Sequence, residues 1–196
     1  MLHPQPLQGR HVRLEPLTLE HHAALCEVGI DEELWRWIPI QIRSAADMLE
    51  YIENALRAQE KELEMPFATV ELASGRVVGS TRFMNIEMKH KRLEIGSTWI
   101  GAPWQRSAVN TEAKLLMLSH AFGPLGCNRV ELKTDALNQK SRNAILRIGA
   151  QQEGIFRKHM VANSGRIRDT VYFSIIDTEW PQVKRELERK LVRADA

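Results

Sequence analysis

The stretch Trp99-Ile-Gly-Ala-Pro-Trp-Gln-Arg-Ser-Ala-Val-Asn-Thr-Glu-Ala113 determines the fold that we predict for this chain. It is typical of a strand that ends in a short polar turn and continues into the first turn of a helix. The start of a helix leaves backbone N–H groups unpaired and carries the positive end of the helix dipole, so it is suited to binding anions, phosphates above all. A second polar stretch, Asn138-Gln-Lys-Ser141, opens another predicted helix that ends at Gly149. Together the two stretches predict a protein that holds a long phosphorylated cofactor against a sheet.

The composition is that of an ordinary globular chain. Of its 196 residues, 27% are charged and 43% are hydrophobic, and 27 Lys and Arg residues stand against 25 Asp and Glu residues. The net charge of +2 gives no support for bulk nucleic-acid binding, so no direct nucleic-acid partner is expected. The length predicts one domain over residues 1–196, with its core over about 7–180 and a C-terminal helix over about 178–192.

The cysteines and the lack of long apolar segments bear on where the protein is expected to be located. Neither Cys26 nor Cys127 has a pairing motif around it, which suits a reducing environment with both thiols free. The N-terminal residues contain no apolar run of the kind found in signal peptides. No segment approaches the ~18 continuous apolar residues that a membrane span needs. We therefore expect a cytoplasmic protein with no membrane partner.

Apolar periodicity predicts seven strands and five helices. The strand–helix–strand passage in the middle of the chain implies a parallel pair, and the hairpins imply antiparallel neighbours, so we expect a mixed sheet with helices on both faces. A capping box at Ser44 and Asp47 opens the second helix, which continues through Leu56. The predicted strands are 11–16, 67–72, 77–84, 93–100, 129–135, 152–160 and 168–176, and the other helices are 19–30, 111–122, 141–148 and 178–191.

This order of elements and the two polar motifs resemble the GNAT superfamily of acyl-CoA-dependent N-acetyltransferases, and most closely its RimJ/RimL-like ribosomal-protein branch. The resemblance covers the chain from Leu7 to about Trp180. It implies an α/β fold with a mixed, mostly antiparallel sheet of six to seven strands and helices on both faces. It also implies acetyl-CoA as the cofactor and an amine as the acceptor.

The family's cofactor loop reads Gln/Arg-x-x-Gly-x-Gly/Ala, and the matching stretch here is Gln105-Arg-Ser-Ala-Val-Asn110. Ala108 stands where Gly is usual, and Asn110 stands where Gly or Ala is usual. Gly permits a positive φ and a close approach of the backbone to a phosphate, and Asn is among the better substitutes, so Ala108 is the larger change. Arg106 and Ser107 offer a charge and a hydroxyl donor in compensation. The hypothesis is that CoA still binds, and the alternative is a helix-capping turn without a ligand.

The resemblance also implies which residues contact the cofactor. A splay between the parallel strands 93–100 and 129–135 exposes backbone groups to the pantetheine arm. Backbone N–H groups from Trp99 to Gly101 then lie beside the thioester carbonyl as an oxyanion-type donor set. The predicted cofactor-binding residues are Trp99, Ile100, Gly101, Gln105, Arg106, Ser107, Ala108, Val109, Asn110, Thr111, Asn138 and Ser141.

Four polar residues are candidates for the chemistry. Ser141 is the candidate acid for the leaving thiolate, or simply a polar residue in the first helical turn. Asn138 is expected to bond the pantetheine arm, to cap the helix, or to do both. Glu94 is the candidate base, acting through a water molecule, and the alternative is a surface residue paired to the neighbouring Lys91 or Arg92. Asp169 is the second candidate base, or a partner for nearby arginines.

The acceptor pocket is assigned to the segment 31–39 between the first two helices, in line with the resemblance. Trp35 and Trp37 are expected to line the pocket, and the acids at 31–33 to attract a cationic amine. The alternative is that the tryptophans cover the core and the acids lie in solvent. For Trp99 the sequence favours core packing, whereas Trp104 is a candidate wall of the site.

Other chemistries lack their motifs. The sequence contains no His-Glu-x-x-His, no closely spaced cysteine pair, no Gly-x-x-x-x-Gly-Lys and no Gly-x-Gly-x-x-Gly, so neither a metal nor a nucleotide cofactor of those kinds is expected. We therefore predict an acetyl-CoA-dependent N-acetyltransferase that transfers directly in a ternary complex. A protein N-terminus, a small-molecule amine, and a CoA-binding sensor or scaffold without turnover remain open as its role. A homodimer is a hypothesis that the branch suggests.

Overall fold

A computed structural model describes residues 4–194 of the chain. Its strands are Leu7–Gln8 (β1), Val12–Pro16 (β2), Met65–Glu71 (β3), Val77–Glu87 (β4), Arg92–Ile100 (β5), Arg129–Asp135 (β6), Gln151–Val161 (β7) and Ile167–Ile176 (β8). Its α-helices are His22–Gly29 (α1), Glu32–Trp35 (α2), Ala45–Glu60 (α3), Ala108–Phe122 (α4), Gln139–Arg147 (α5) and Trp180–Ala194 (α6). Within residues 4–194 no helix is both long enough and apolar enough to cross a membrane.

The strands form one sheet in the order β1-β2-β3-β4-β5-β6-β8-β7. Every neighbouring pair is antiparallel except β5 and β6, which are parallel, so the predicted mixed and mostly antiparallel α/β fold is confirmed. The sheet has eight strands rather than six or seven, because Leu7–Gln8 pairs with Leu14 and Arg13 of β2. A two-residue strand is too short to show an alternating pattern in the sequence.

Helices cover both faces of the sheet, as predicted. Helices α1 to α3 pack on one face, which we call the α3 face, around a cluster that includes Leu25, Trp35, Met48, Tyr51 and Trp99. Helices α4, α5 and α6 pack on the other, the α4 face, around the larger apolar cluster. The buried residues that these three helices contribute to it include Val109, Met117, Leu118, Ala121, Ile145, Val183 and Leu187.

Capping side chains decide where the helices begin. The Ser44–Asp47 capping box is present at the start of α3, as predicted. Helix α4 begins at Ala108 and not at 111, because the Ser107 hydroxyl caps it by accepting from the Val109 N–H at 3.3 Å. The predicted helix 19–30 consists of a 3₁₀ turn followed by α1, and the four-residue α2 is too short to give a helical period.

The strands β5 and β6 separate soon after they start to pair. Their register contains Arg92 opposite Arg129, Leu93 opposite Val130, and Glu94 opposite Glu131. Beyond Glu94, β5 continues along β4 alone and β6 along β8. A β-bulge next to Ser97, whose φ is 48°, bends β5 at this point. The predicted splay is therefore present as a wedge between the two parallel strands.

Candidate active site

Gln105 joins the two walls of the wedge. Its side-chain Nε2 donates to the Ile100 carbonyl at the end of β5 at 2.8 Å. Its Oε1 accepts a hydrogen bond from Lys140 in the first turn of α5, the helix that follows β6. The predicted loop residue therefore fixes the wide end of the wedge and brings a lysine to it.

The start of α4 lies beside this bridge. The Ser107 hydroxyl donates to the Trp104 carbonyl at 2.7 Å, so its hydrogen is directed into the turn. Arg106 is exposed and adopts a left-handed φ of 64°. Ala108 and Asn110 belong to the helical turn and do not adopt the positive φ that glycine would permit there, whereas the effect of Ala108 on the approach of a phosphate stays a prediction. The residue with the glycine-like backbone is Arg106.

The first turn of α4 offers backbone groups more than side chains. Val109 and Thr111 are buried, and the Thr111 hydroxyl accepts from the Arg147 guanidinium at 3.0 Å. The side-chain Oδ1 of Asn110 is buried and has no hydrogen-bond partner among the residues that the structure describes. This buried acceptor is therefore an unsatisfied polar atom at the start of α4.

The backbone donors predicted from Trp99 to Gly101 are not equivalent. The Gly101 N–H donates to the Val78 carbonyl at 2.8 Å and is therefore committed to β4. Because successive N–H groups along a strand point to opposite edges, the N–H of Ile100 faces the wedge. The Trp99 side chain is buried on the α3 face, where its Nε1 donates to the Tyr51 hydroxyl at 3.2 Å. The prediction of Gly101 as an oxyanion donor is wrong, and core packing of Trp99 is confirmed.

Glu94 is a buried carboxylate at the last paired position before the wedge opens. It is 2% exposed, accepts from the Asn85 side-chain amide at 2.8 Å, and lies 2.9 Å from the Lys133 ammonium group. The alternative of a surface residue paired to its sequence neighbours is wrong, since Arg92 pairs with Glu87 and Glu131. A buried carboxylate beside the wedge matches the geometry that a base needs, and that role stays a prediction.

A cleft of about 650 Å³ on the α3 face reaches Glu94. Leu63, Ile86, Phe156 and Tyr172 supply its apolar wall. The charged residues that line it are Glu64, Glu87, Glu94, Glu131, Glu153, Arg92 and Arg129. The cleft and the helix starts of α4 and α5 thus approach the wedge from opposite faces of the sheet.

Asn138 and Ser141 lie at the start of α5. The Asn138 side chain caps the helix by accepting from the Ser141 N–H at 3.0 Å, which confirms its capping role. Ser141 is half-buried in the first turn. The contact of Asn138 with pantetheine and the acid role of Ser141 stay predictions.

Asp169 lies away from Glu94. Its carboxylate accepts from the Lys158 N–H at 2.7 Å, at a bulge in β7 where Lys158 has a φ of 50°. The nearby arginines Arg166 and Arg168 approach Asp135 instead, so the interpretation of Asp169 as their partner is wrong. With its carboxylate bound to the backbone of a hairpin, Asp169 is the weaker candidate base.

The two tryptophans of the segment 31–39 have different surroundings. Trp35 is 2% exposed and donates from Nε1 to the Gly29 carbonyl at 2.7 Å, so it belongs to the core and does not line a pocket. Trp37 is half-buried, with the Arg166 guanidinium 5.7 Å from its ring centre. Its carbonyl accepts from Arg168 at 3.3 Å. The segment after α2 therefore docks on the β7–β8 hairpin.

Sequence reasoning missed Lys133, Asn85 and Tyr172. These residues come from three different strands and meet Glu94 or each other only through the register of the sheet. The sequence held no local signal for these contacts, because strand register ends the parallel pairing at Glu131 and so places Lys133 at the opening of the wedge. Among the described residues no group of three or more His, Cys, Asp and Glu side chains can hold a metal ion.

Comparison with known proteins identifies the family to which this fold is similar. Residues 11–151 match the family model described as "Acetyltransferase (GNAT) domain". The chain is 32% identical over 169 residues to a Bacillus subtilis (strain 168) protein named "Putative ribosomal N-acetyltransferase YdaF", covering 85% of this chain and 90% of the relative.

Two solved structures are similar over most of their length. A GCN5-related N-acetyltransferase from Brucella melitensis superposes with a TM-score of 0.88 and 34% identity, covering 95% of this chain and 85% of the other. Mycobacterium smegmatis RimJ, solved in complex with CoA-disulfide, superposes with a TM-score of 0.81 at 20% identity, covering 95% of this chain and 93% of the other. The second likeness is one of fold.

Proposed function

The chain belongs to the acetyltransferase (GNAT) family, and we propose that it transfers an acetyl group from acetyl-CoA directly to a primary amine, the amino group of a protein N-terminus. The observation that carries the proposal is the wedge, which begins where the β5–β6 register ends at Glu94 and Glu131. The start of the capped helix α4, which suits a phosphate, lies on one side of the wedge. The buried carboxylate of Glu94, which suits the removal of a proton, lies on the other side.

The residues around the wedge fit CoA. The N–H groups in the first turn of α4 and the exposed Arg106 suit a diphosphate, and Lys140 adds a second cation beside them. When bound, acetyl-CoA supplies a thioester, which is the electrophile of the reaction.

In the proposed mechanism each polar residue has one task. Glu94 takes a proton from the acceptor ammonium, directly or through a water molecule, so that the amine can attack. The Ile100 N–H stabilises the negative charge that develops on the carbonyl oxygen. Ser141 would give a proton to the departing sulfur, and solvent would restore it. The amine nitrogen loses its second proton to solvent as the amide forms, so the products are an amide, CoA thiol and one proton.

Direct transfer in a ternary complex is favoured by the state of the two thiols. Cys26 lies on α1, and Cys127 is buried in the apolar cluster of the α4 face. Burial raises the pKa of both thiols, which keeps them protonated and poorly nucleophilic. Neither is among the residues that line the cleft.

The choice of a protein N-terminus rests on the relative named for ribosomal N-acetylation. Small-molecule amines are the alternative acceptors for the same cleft. The non-catalytic alternative is favoured by one observation, namely that Glu94 is already paired by Lys133 and Asn85. In that case the chain binds CoA as a sensor and does not turn over.

The test combines CoA titration calorimetry with thiol-release assays on a panel of N-terminal peptides and small amines. We expect Glu94→Gln to keep CoA affinity and to lower kcat by about 10²- to 10⁴-fold. Glu50→Gln, on the exposed side of α3, is the control and retains full activity. CoA binding without thiol release on any acceptor supports the sensor, and absence of CoA binding refutes the proposal.

We also retain the homodimer as a proposal. The outermost strand β7 lies at the edge of the sheet, and its Ile155, Phe156 and Val161 are 47%, 52% and 65% exposed. Exposed apolar residues on an edge strand favour pairing with another chain. Light scattering that gives a clean monomer mass contradicts this proposal.

A further inference from the structure

Lys133 places a primary amine at the opening of the wedge. It follows Glu131, the last residue of β6 that pairs with β5, and its side chain is 23% exposed. The Nζ lies 2.9 Å from the Glu94 Oε2 and 5.8 Å from the centre of the Tyr172 ring. The amine therefore lies beside the candidate base, where a strand wall and an aromatic ring flank it.

This contact meets the distance criterion for an acceptor amine. A general base has to lie within about 2.6–3.2 Å of the heavy atom whose proton it removes. The ammonium of Lys133 fulfils that condition toward Glu94, and it does so without any ligand in the cleft. Lys133 thus stands in the relation to Glu94 that the proposed function requires of a substrate amine.

We propose that Lys133 is an internal acetyl acceptor, so that the site acetylates the Nζ of its own chain when no other amine lies beside Glu94. This inference rests on the proposed function, because it uses the same cofactor and the same base. It adds a modification site in the sheet itself.

The step balances as follows. The Lys133 ammonium gives one proton to Glu94, which passes it to solvent, and the resulting amine attacks the thioester carbonyl. An N–C bond forms and the C–S bond breaks. The second proton leaves the nitrogen as the amide forms, and one proton is taken up by the departing sulfur. The products are acetylated Lys133, CoA thiol and one proton released to solvent.

Two features of this reaction can be measured. Because the amine and the base belong to one chain, its rate constant is independent of protein concentration, unlike that of transfer from one chain to another, and its dependence on Glu94 separates it from chemical acetylation of surface lysines. Because an amide nitrogen is no longer a nucleophile, the reaction stops at one acetyl group at Lys133 per chain. An external acceptor amine that binds beside Glu94 competes with Lys133 for that base.

The experiment incubates the full chain with isotopically labelled acetyl-CoA at several protein concentrations and follows each lysine by peptide mass mapping. Lys184, which lies 4.0 Å from Glu188 on the exposed helix α6, is the matched control for a lysine beside a carboxylate far from the wedge. We expect Lys133 to be labelled faster than Lys184, at a rate that does not change with protein concentration. Glu94→Gln slows labelling of Lys133 by about 10²-fold or more and leaves Lys184 unchanged.

CoA binding and thiol release on the amine panel are measured on the same preparation. An unlabelled Lys133 in protein that acetylates external amines overturns the inference and leaves the proposed function intact. Labelling of Lys133 that is no faster than that of Lys184, or whose rate rises with protein concentration, overturns it as well. Protein that neither binds CoA nor releases thiol refutes the proposed function, and this inference with it.

Discussion

The ammonium group of Lys114 in α4 lies 2.8 Å from the Thr98 hydroxyl in β5. Helix α4 is the helix whose first turn belongs to the candidate cofactor site. The Thr81 hydroxyl lies 3.4 Å from the same Nζ, and Lys114 is 5% exposed. Burial lowers the pKa of Lys114 from 10.5 to about 7. The contact joins α4 to β5 just beyond the bulge at Ser97.

Replacing Lys114 by Met is expected to change how stability depends on pH. Below about pH 7 the folded and unfolded chains both bind the proton, so the unfavourable burial of the charge is fully present. Between about 7 and 10.5 the unfolded chain binds more protons, so the free energy of unfolding of the parent protein rises with pH. The gain in unfolding free energy of Lys114→Met over the parent protein is therefore greatest near pH 6 and declines toward pH 10.

Urea denaturation at a series of pH values measures this difference. Lys184→Met on the exposed face of α6 is the control, and its effect is expected to be independent of pH. A difference between Lys114→Met and the parent that stays constant from pH 6 to 10 contradicts the prediction.

Glu112 holds the turn between β1 and β2 against α4. Its buried carboxylate accepts from the backbone N–H groups of Arg10, His11 and Val12 at 2.9, 2.7 and 2.7 Å. Glu112→Gln removes the negative charge and replaces one accepting oxygen with an NH₂ group, which faces backbone N–H groups and cannot accept from them. We therefore expect the free energy of unfolding to fall by about 2–3 kcal/mol. Thermal and urea unfolding measure the loss. The exposed Glu188→Gln serves as the control, with an expected change within about 0.5 kcal/mol.

Arg106→Gly is expected to act in opposite directions on stability and on binding. Arg106 has a φ of 64°, a region that glycine occupies freely, so the change stabilises the fold by up to about 1 kcal/mol. Loss of the exposed cation beside the start of α4 is expected to weaken CoA binding by about twofold to fivefold. Lys91→Gly, at a φ of 51° on a different loop, is the matched control: it stabilises without weakening CoA binding. Calorimetry that finds equal CoA affinities for both variants removes Arg106 from the site.

Gly79→Ala tests the close packing of β4 on the wall of the wedge. A Cβ at Gly79 lies 2.1 Å from the Trp99 carbonyl oxygen, which belongs to the backbone and cannot move aside alone. We expect a loss of about 1–3 kcal/mol or more in unfolding free energy. Gly154→Ala in β7, where no atom lies within 4 Å of the added carbon, is the control and is expected to be near neutral. Equal melting temperatures for the two variants contradict this account.

Local signals were sufficient for much of the fold. The strand at 129–135 has the bounds that its alternation predicted, and the Ser44–Asp47 box opens α3. Both features depend on residues close together in the chain, where periodicity and capping act. The start of α4 was placed three residues late because the cap at Ser107 is a single hydroxyl among several polar residues.

The contacts that the site residues make could not be predicted from short stretches of sequence. The strand–helix–strand passage indicated the parallel pair, the family resemblance implied the splay between its strands, and Glu94 was a candidate base on one of them. It did not indicate that Lys133 and Asn85 surround that carboxylate, or that Gly101 gives its N–H to Val78.

The sequence by itself determined the seven longer strands, the longer helices, the parallel pair and the polar loop at the start of α4, because apolar period and caps act between neighbours. Only the tertiary structure decided which groups meet at the wedge. Strand register and the bulge in β5 place residues from distant parts of the chain side by side, and burial then makes their charges and hydrogen bonds depend on one another.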